Sequence, residues 1–172
     1  AYHKIWESLA AEKSMVFLSG PRQAGKTTLS RIIAEKFTNS LYCNWDIPEH
    51  RVRLLENPSF FTLLPRRDNS TPFIVFDEIH KYRDWKNYLK GVYDQYSGEY
   101  RFLVTGSGRL DLYQKGGDSL AGRYLLFNLW PFTAAELGGT REFADFLHDP
   151  LSINMENAVA LAATWERLEA FR

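Results

Sequence analysis

The chain has almost no cysteine. Cys43 stands alone among 172 residues, so no disulfide can form within the chain, and a reducing setting such as the cytoplasm is expected. An excess of charge is missing too: Lys plus Arg and Asp plus Glu are both 21, giving a formal net charge of zero. A dedicated nucleic-acid binder carries a basic field, so nucleic acid finds no support in the net charge and would need a local patch. No run of about eighteen apolar residues exists, and no basic start leads into an apolar stretch, so neither a membrane-spanning helix nor a signal peptide is expected. No His/Cys group has zinc-ligand spacing, and no serine sits in a glycine-flanked elbow. Internal repeats and low-complexity linkers are absent as well.

What is there suits one globular domain with a sizeable core: 45% of the residues are apolar and 15% aromatic. Short apolar runs alternate with helical periodicity. Residues 15–18, 41–45, 73–76, 102–104 and 124–129 read as five strands. Helical patterns fall at 2–11, 26–37, from Pro48 to before Pro58, and from 85 to 96 behind Asp84 as cap. Leu29, Ile32, Ile33 and Phe37 make one apolar face, as do Val52, Leu54 and Leu55. Trp85, Tyr88, Leu89, Val92, Tyr93 and Tyr96 form the cleanest stripe, which reads as core. Residues 109–117 read as a short helix with a glycine-rich turn, and from Phe132 onward the pattern is helical. Alternating strands and helices predict an α/β domain with a parallel sheet. Residues 1–131 are expected to be its core, and 132–172 the start of a lid or further domain that continues past Arg172.

Residues 20–27, Gly-Pro-Arg-Gln-Ala-Gly-Lys-Thr, fit the phosphate-binding loop pattern G-x-x-x-x-G-K-[ST] between a strand and a helix. Gly20 and Gly25 let the backbone N–H groups of Pro21-Arg22-Gln23-Ala24 and their neighbours curl around an anion, except at the proline, and the helix start at Lys26, Thr27 and Thr28 presents its positive end to it. Lys26 would reach the β- and γ-phosphates, and the Thr27 hydroxyl is placed to ligate Mg²⁺. Asp77 ends an unbroken apolar run, where open α/β sheets bind ligands, and would share the Mg²⁺ with Thr27. Glu78 beside it would polarise a water for in-line attack. Thr105, ahead of Ser107, ends the fourth strand and is a candidate sensor of the γ-phosphate; a plain turn is the alternative. Arg123 just precedes the fifth strand, a place from which an arginine can point into a neighbour's site; a solvated strand-edge residue is the alternative. Arg66-Arg67 read as solvated, and His80 as an orienter rather than a catalyst.

Taken in order, these motifs resemble a known group. Residues 20–29, Tyr-Cys-Asn-Trp-Asp at 42–46, Asp-Glu-Ile-His-Lys at 77–81, Thr-Gly-Ser at 105–107, Ser-Leu-Ala-Gly-Arg at 119–123 and Leu-Trp-Pro-Phe-Thr-Ala-Ala-Glu-Leu at 129–137 are similar to those of prokaryotic AAA-type ATPases, in which an AAA+-like core precedes a C-terminal domain of unsettled function. The resemblance covers about residues 14–138. It implies a three-layer P-loop fold with strand order 5-1-4-3-2, ATP with Mg²⁺, Glu78 as base, Thr105 as first sensor and Arg123 as a finger, acting in trans in a homo-oligomer or in cis. His80 departs from the glutamine expected there, and the family's C-terminal domain is absent or barely begun. Arg141 and Arg167 are weak candidates for a second sensor.

Three functions compete: an ATP hydrolase module driving an attached domain or partner, a nucleotide-dependent switch with slow hydrolysis, and a helicase core, since Asp77-Glu78-Ile79-His80 also spells D-E-x-H. The helicase would need a second RecA-like domain, for which the chain has no room. A GTPase lacks its N-K-x-D tetrapeptide, and a small-molecule kinase has no need of Glu78.

Overall fold

The computed structural model describes residues 14–106, 120 and 122–131. The chain divides into two compact units, 1–129 and 130–172, and the described residues lie almost wholly in the first. The helices expected at 2–11, at 109–117 and beyond 132, together with Ser107, Arg141 and Arg167, fall outside the described residues.

Five strands form one parallel sheet: β1 (Met15–Ser19), β2 (Ser40–Asn44), β3 (Phe73–Asp77), β4 (Arg101–Thr105) and β5 (Leu125–Asn128). Their order is β2-β3-β4-β1-β5, the expected order read from the other edge. Helix α1 (Lys26–Ala34) joins β1 to β2, α2 (Pro48–Glu56) and a 3-10 turn (Phe60–Leu63) join β2 to β3, and a 3-10 turn (Ile79–Lys81) with α3 (Trp85–Tyr96) joins β3 to β4. Among the described residues no helix is long and apolar enough to cross a membrane.

Strand parity sorts the core into two layers. Met15, Phe17, Ile74, Phe76, Phe102 and Val104 face one side, where they meet Leu54, Phe60, Phe61 and the α3 stripe of Trp85, Leu89 and Val92. Val16, Leu18, Phe73, Val75 and Leu103 face the other, against Ile33 and Ala34 of α1. Every residue of β1 and β3 is buried, which is why both read as continuous apolar runs. The edge strand β2 has only Cys43 fully buried, and that burial pushes its thiol up to about 11.

Some local expectations shift. α1 ends at Ala34 and tightens, with Lys36 N donating to Ile33 O and Phe37 N to Ala34 O. Ile32, Val52 and Leu55 are exposed, so the buried faces of α1 and α2 are narrower than their apolar patterns. Asp84 holds the N-cap position of α3 without a side-chain cap bond; its carboxylate accepts instead from Asn87 Nδ2 at 2.7 Å. Arg66 leans over the Tyr100 ring, its carbon 5.5 Å from the ring centre.

Phe61 is the hub of the first layer. It is fully buried and meets Phe60, Phe76, Tyr96, Tyr100 and Phe102, all edge to face, at 5.1 to 6.1 Å between ring centres. Phe61→Ala is expected to cost about 3–5 kcal/mol of stability, read as a lower urea midpoint with an unchanged slope.

Candidate active site

The loop between β1 and α1 is built from backbone conformations that most residues avoid. Gly25 has φ 85° and Gln23 φ 64°, both left-handed. Gly20 has φ 153°, and a Cβ placed on it would overlap the carbonyl oxygen of Leu129, just beyond β5. The loop is thus seated directly on backbone, since Leu129 N also donates to Ser19 O at 2.7 Å. Pro21, Arg22 and Gln23 are exposed, and Ala24 is half-buried; Thr28 is exposed on the first turn of α1.

Lys26 is buried at the loop's base. Its Nζ donates to Gly20 O at 2.9 Å and to Pro21 O at 2.6 Å. Burial holds this ammonium below the usual lysine range, against the opposing pull of Glu78 and Asp77. The sheet explains how residues so distant in sequence share a field. Parallel strands put the ends of β1, β3 and β4 on one rim, and the loop crosses that rim.

Asp77 is the focus. It is fully buried, and its carboxylate accepts from four side chains on three other elements. On Oδ2 arrive Thr27 Oγ1 from α1 at 3.0 Å, Asn44 Nδ2 from β2 at 3.1 Å, and the Tyr42 hydroxyl, also from β2. On Oδ1 arrives the Thr105 hydroxyl from β4. Parity is the cause. Asn44 lies opposite Asp77 in the ladder and Tyr42 opposite Val75, so Tyr42, Asn44 and Asp77 all face the α1 side of the sheet. Burial and then the bond to Asp77 push the Tyr42 phenol up, and Arg31 of α1 lies over its ring at 4.9 Å.

Thr105 does more than end a strand. Besides donating to Asp77, its hydroxyl accepts from Glu78 N at 3.3 Å, so it spans the two acids. Glu78 itself is a non-glycine residue in left-handed backbone, φ 57° and ψ 21°. Such a conformation costs about 1–3 kcal/mol and is held by its surroundings. The Glu78 carboxylate lies 3.1 Å from Lys81 Nζ and 3.8 Å from His80 Nε2. The site therefore brings Lys26, Thr27, Asp77, Glu78 and Thr105 together.

Arg123 is not with them. β5 runs parallel to β1 with Val16 opposite Leu125, so a residue two positions before β5 lies at the other rim of the sheet. One strand length, roughly 15 Å, separates the two rims. There Arg123 makes a two-pronged pair with Asp94 of α3, Nε to Oδ1 at 2.6 Å and Nη2 to Oδ2 at 3.2 Å.

Tyr42 and Asn44 lie within the motif at 42–46 but had no role in the site assigned from sequence. Their signal was parity: counting back in twos from the end of β2 marks them as facing the same way as Asp77.

The model of the AAA domain family matches residues 12–138 of this chain. The chain belongs to the AAA domain family. It is 33% identical over 130 residues to uncharacterized proteins of Mycobacterium bovis and Mycobacterium tuberculosis, a match covering 73% of this chain and 27% of each relative. The chain thus spans about a quarter of the length of these curated relatives. In fold it is similar to the Aeropyrum pernix ORC1 protein solved in complex with DNA, with TM-score 0.53 at 16% identity over 81% of this chain and 47% of that one. It is likewise similar to Drosophila ORC bound to DNA, with TM-score 0.52 at 15% identity over 94% of this chain and 51% of that one. An AAA-type P-loop domain of nucleotide-binding, ATPase-like kind, with a five-stranded parallel sheet, is what the fold and family establish together.

Because Gly20 has no room for a side chain, Gly20→Ala is expected to lift the loop off Leu129 and lower both the melting temperature and nucleotide affinity. Gly98→Ala, where a Cβ meets nothing within 4 Å, is the matched control and should change neither. Thermal melts and titration with a fluorescent ATP analogue would read both.

Proposed function

We propose that this AAA domain binds ATP with Mg²⁺ and hydrolyses the γ-phosphate, with Lys26, Thr27, Asp77, Glu78 and Thr105 as the working residues. The observation that carries the reading is the 3.0 Å contact between Thr27 Oγ1 and Asp77 Oδ2, fifty positions apart, at the base of a phosphate-type loop. It joins two hard oxygen donors beside a buried lysine, a donor set suited to a magnesium ion that takes its other ligands from water and phosphate. When bound, the ion would supply charge neutralisation at the phosphate oxygens.

Each protein group then has a role that its position supports. The loop N–H groups and the N-terminus of α1 would receive the phosphates. Lys26 would exchange its bonds to Gly20 O and Pro21 O for phosphate oxygens, which offer a stronger, charge-assisted pairing. Thr27 and Asp77 would hold the ion. Glu78 would orient and deprotonate the attacking water. Thr105, bonded to Asp77 and to the Glu78 backbone, would register changes at either acid. Ser107 remains a weaker candidate for contact with the nucleotide. Since Arg123 lies at the opposite rim, we assign it to the site of a second copy rather than to its own. What the turnover drives is assigned to partner segments outside the matched residues.

The expected results are specific. Lys26→Ala loses ATP binding, whereas Glu78→Gln keeps Mg²⁺-dependent binding and loses turnover by roughly a hundredfold or more. Binding without any Glu78-dependent turnover would instead mark a nucleotide-dependent switch; single-turnover hydrolysis separates the two. For Arg123, specific activity should rise with protein concentration, and the rise should vanish in Arg123→Ala. Activity independent of concentration would sink the assignment in trans.

A further inference from the structure

Lys81 stands between two acids. Its Nζ is 2.5 Å from Asp46 Oδ2 and 3.1 Å from Glu78 Oε2. Asp46 comes from the segment after β2, and Glu78 and Lys81 from the segment after β3. The two segments are cross-linked a second time alongside the ion pair: Trp45 stacks on Tyr82 with ring centres 4.9 Å apart, and these are the chain neighbours of Asp46 and Lys81. Asp46 is itself fixed, because its N–H donates to Asn44 Oδ1 at 2.7 Å while Asn44 Nδ2 donates to Asp77. A closed circuit results, from Asp77 through Asn44, Asp46 and Lys81 to Glu78, and back to Asp77 along the chain.

We propose that Lys81, with Asp46 as its counter-charge, is a positioning residue that aims the Glu78 carboxylate; this rests on the reading of Glu78 as the base. The 3-10 turn after β3 brings Lys81 back to its N-cap Glu78, with Lys81 N donating to Glu78 O at 3.1 Å, so the lysine can hold the Glu78 side chain from one side. A bare lysine would also quench the base it holds. Asp46 offsets this: it is the nearer partner of the lysine and shares its ammonium with Glu78, whose carboxylate also lies 3.8 Å from His80 Nε2. The carboxylate of Glu78 is the more buried of the two acids, with 22% of its side chain exposed against 53% for Asp46, so the tether runs from the solvent-facing rim inward. Ion pairs this exposed contribute little to stability, which is why their role is sought in geometry rather than in the fold.

The experiment uses the full chain and steady-state hydrolysis of MgATP. Glu78→Gln first tests the base itself: persistent turnover there overturns that reading, separately from the tether. With Glu78→Gln inactive, Lys81→Met should lower kcat by about tenfold with KM within about twofold, because only the water-activating group is mis-aimed. Lys81→Arg should restore most of the loss. Asp46→Asn should lower kcat as well, and the double variant should be no worse than Lys81→Met, since the two act through one contact. In the nucleotide-free protein, the part of the tryptophan emission lost on Trp45→Phe should shift in both Lys81→Met and Asp46→Asn, with unchanged melting temperatures. An unchanged or raised kcat in Lys81→Met, additive losses in the double variant, or an unmoved Trp45 signal would each overturn the proposal.

Discussion

A carboxylate buried without solvent is costly unless every lone pair is answered, and Asp77 shows how this chain meets that constraint. Four donors converge on two oxygens, and they come from α1, β2 and β4. The requirement fixes more than one side chain. It demands that β2 and β4 flank β3 in register, that the first turn of α1 stand over the same face, and that polar residues occupy strand ends where the middles are apolar.

The same arrangement divides the molecule by face and by rim. One face of the sheet is packed with aromatic rings around Phe61, with Trp45 and Tyr82 at its margin. The other carries α1, and at its far rim the residues that converge on Asp77. The donors to Asp77 are thereby gathered on the α1 side, away from the Phe61 rings. The loop adds a backbone contact of its own, with Gly20 seated against Leu129.

Much of this was legible in the residues. β1 and β3 are buried on both faces, so their runs of four apolar residues announced a parallel sheet, and the loop motif pointed to the rim proposed for ligands. Asp77 and Glu78 followed from their place after such a run. The parts that escaped depend on pairing across sequence. The strand at 41–45 was read from sequence, but Tyr42 and Asn44 gain their meaning only from the register of β2 against β3, thirty-odd positions away. The pair between Arg123 and Asp94 joins a strand approach to a helix twenty-nine positions earlier, which no periodicity encodes. At the helix surfaces the error ran the other way: Ile32, Val52 and Leu55 match an apolar face by spacing, yet a short helix covers the sheet with fewer residues than its pattern offers.

The left-handed backbone of Glu78 sets stability against chemistry. Left-handed φ suits glycine or asparagine, and either residue would relax this turn. Each would also delete the carboxylate proposed as the base. Selection for a more stable chain and selection for a working one therefore pull in opposite directions at a single codon. With Glu78 as the proposed base, Asn or Gly at position 78 would give a sturdier domain that keeps nucleotide binding and loses turnover.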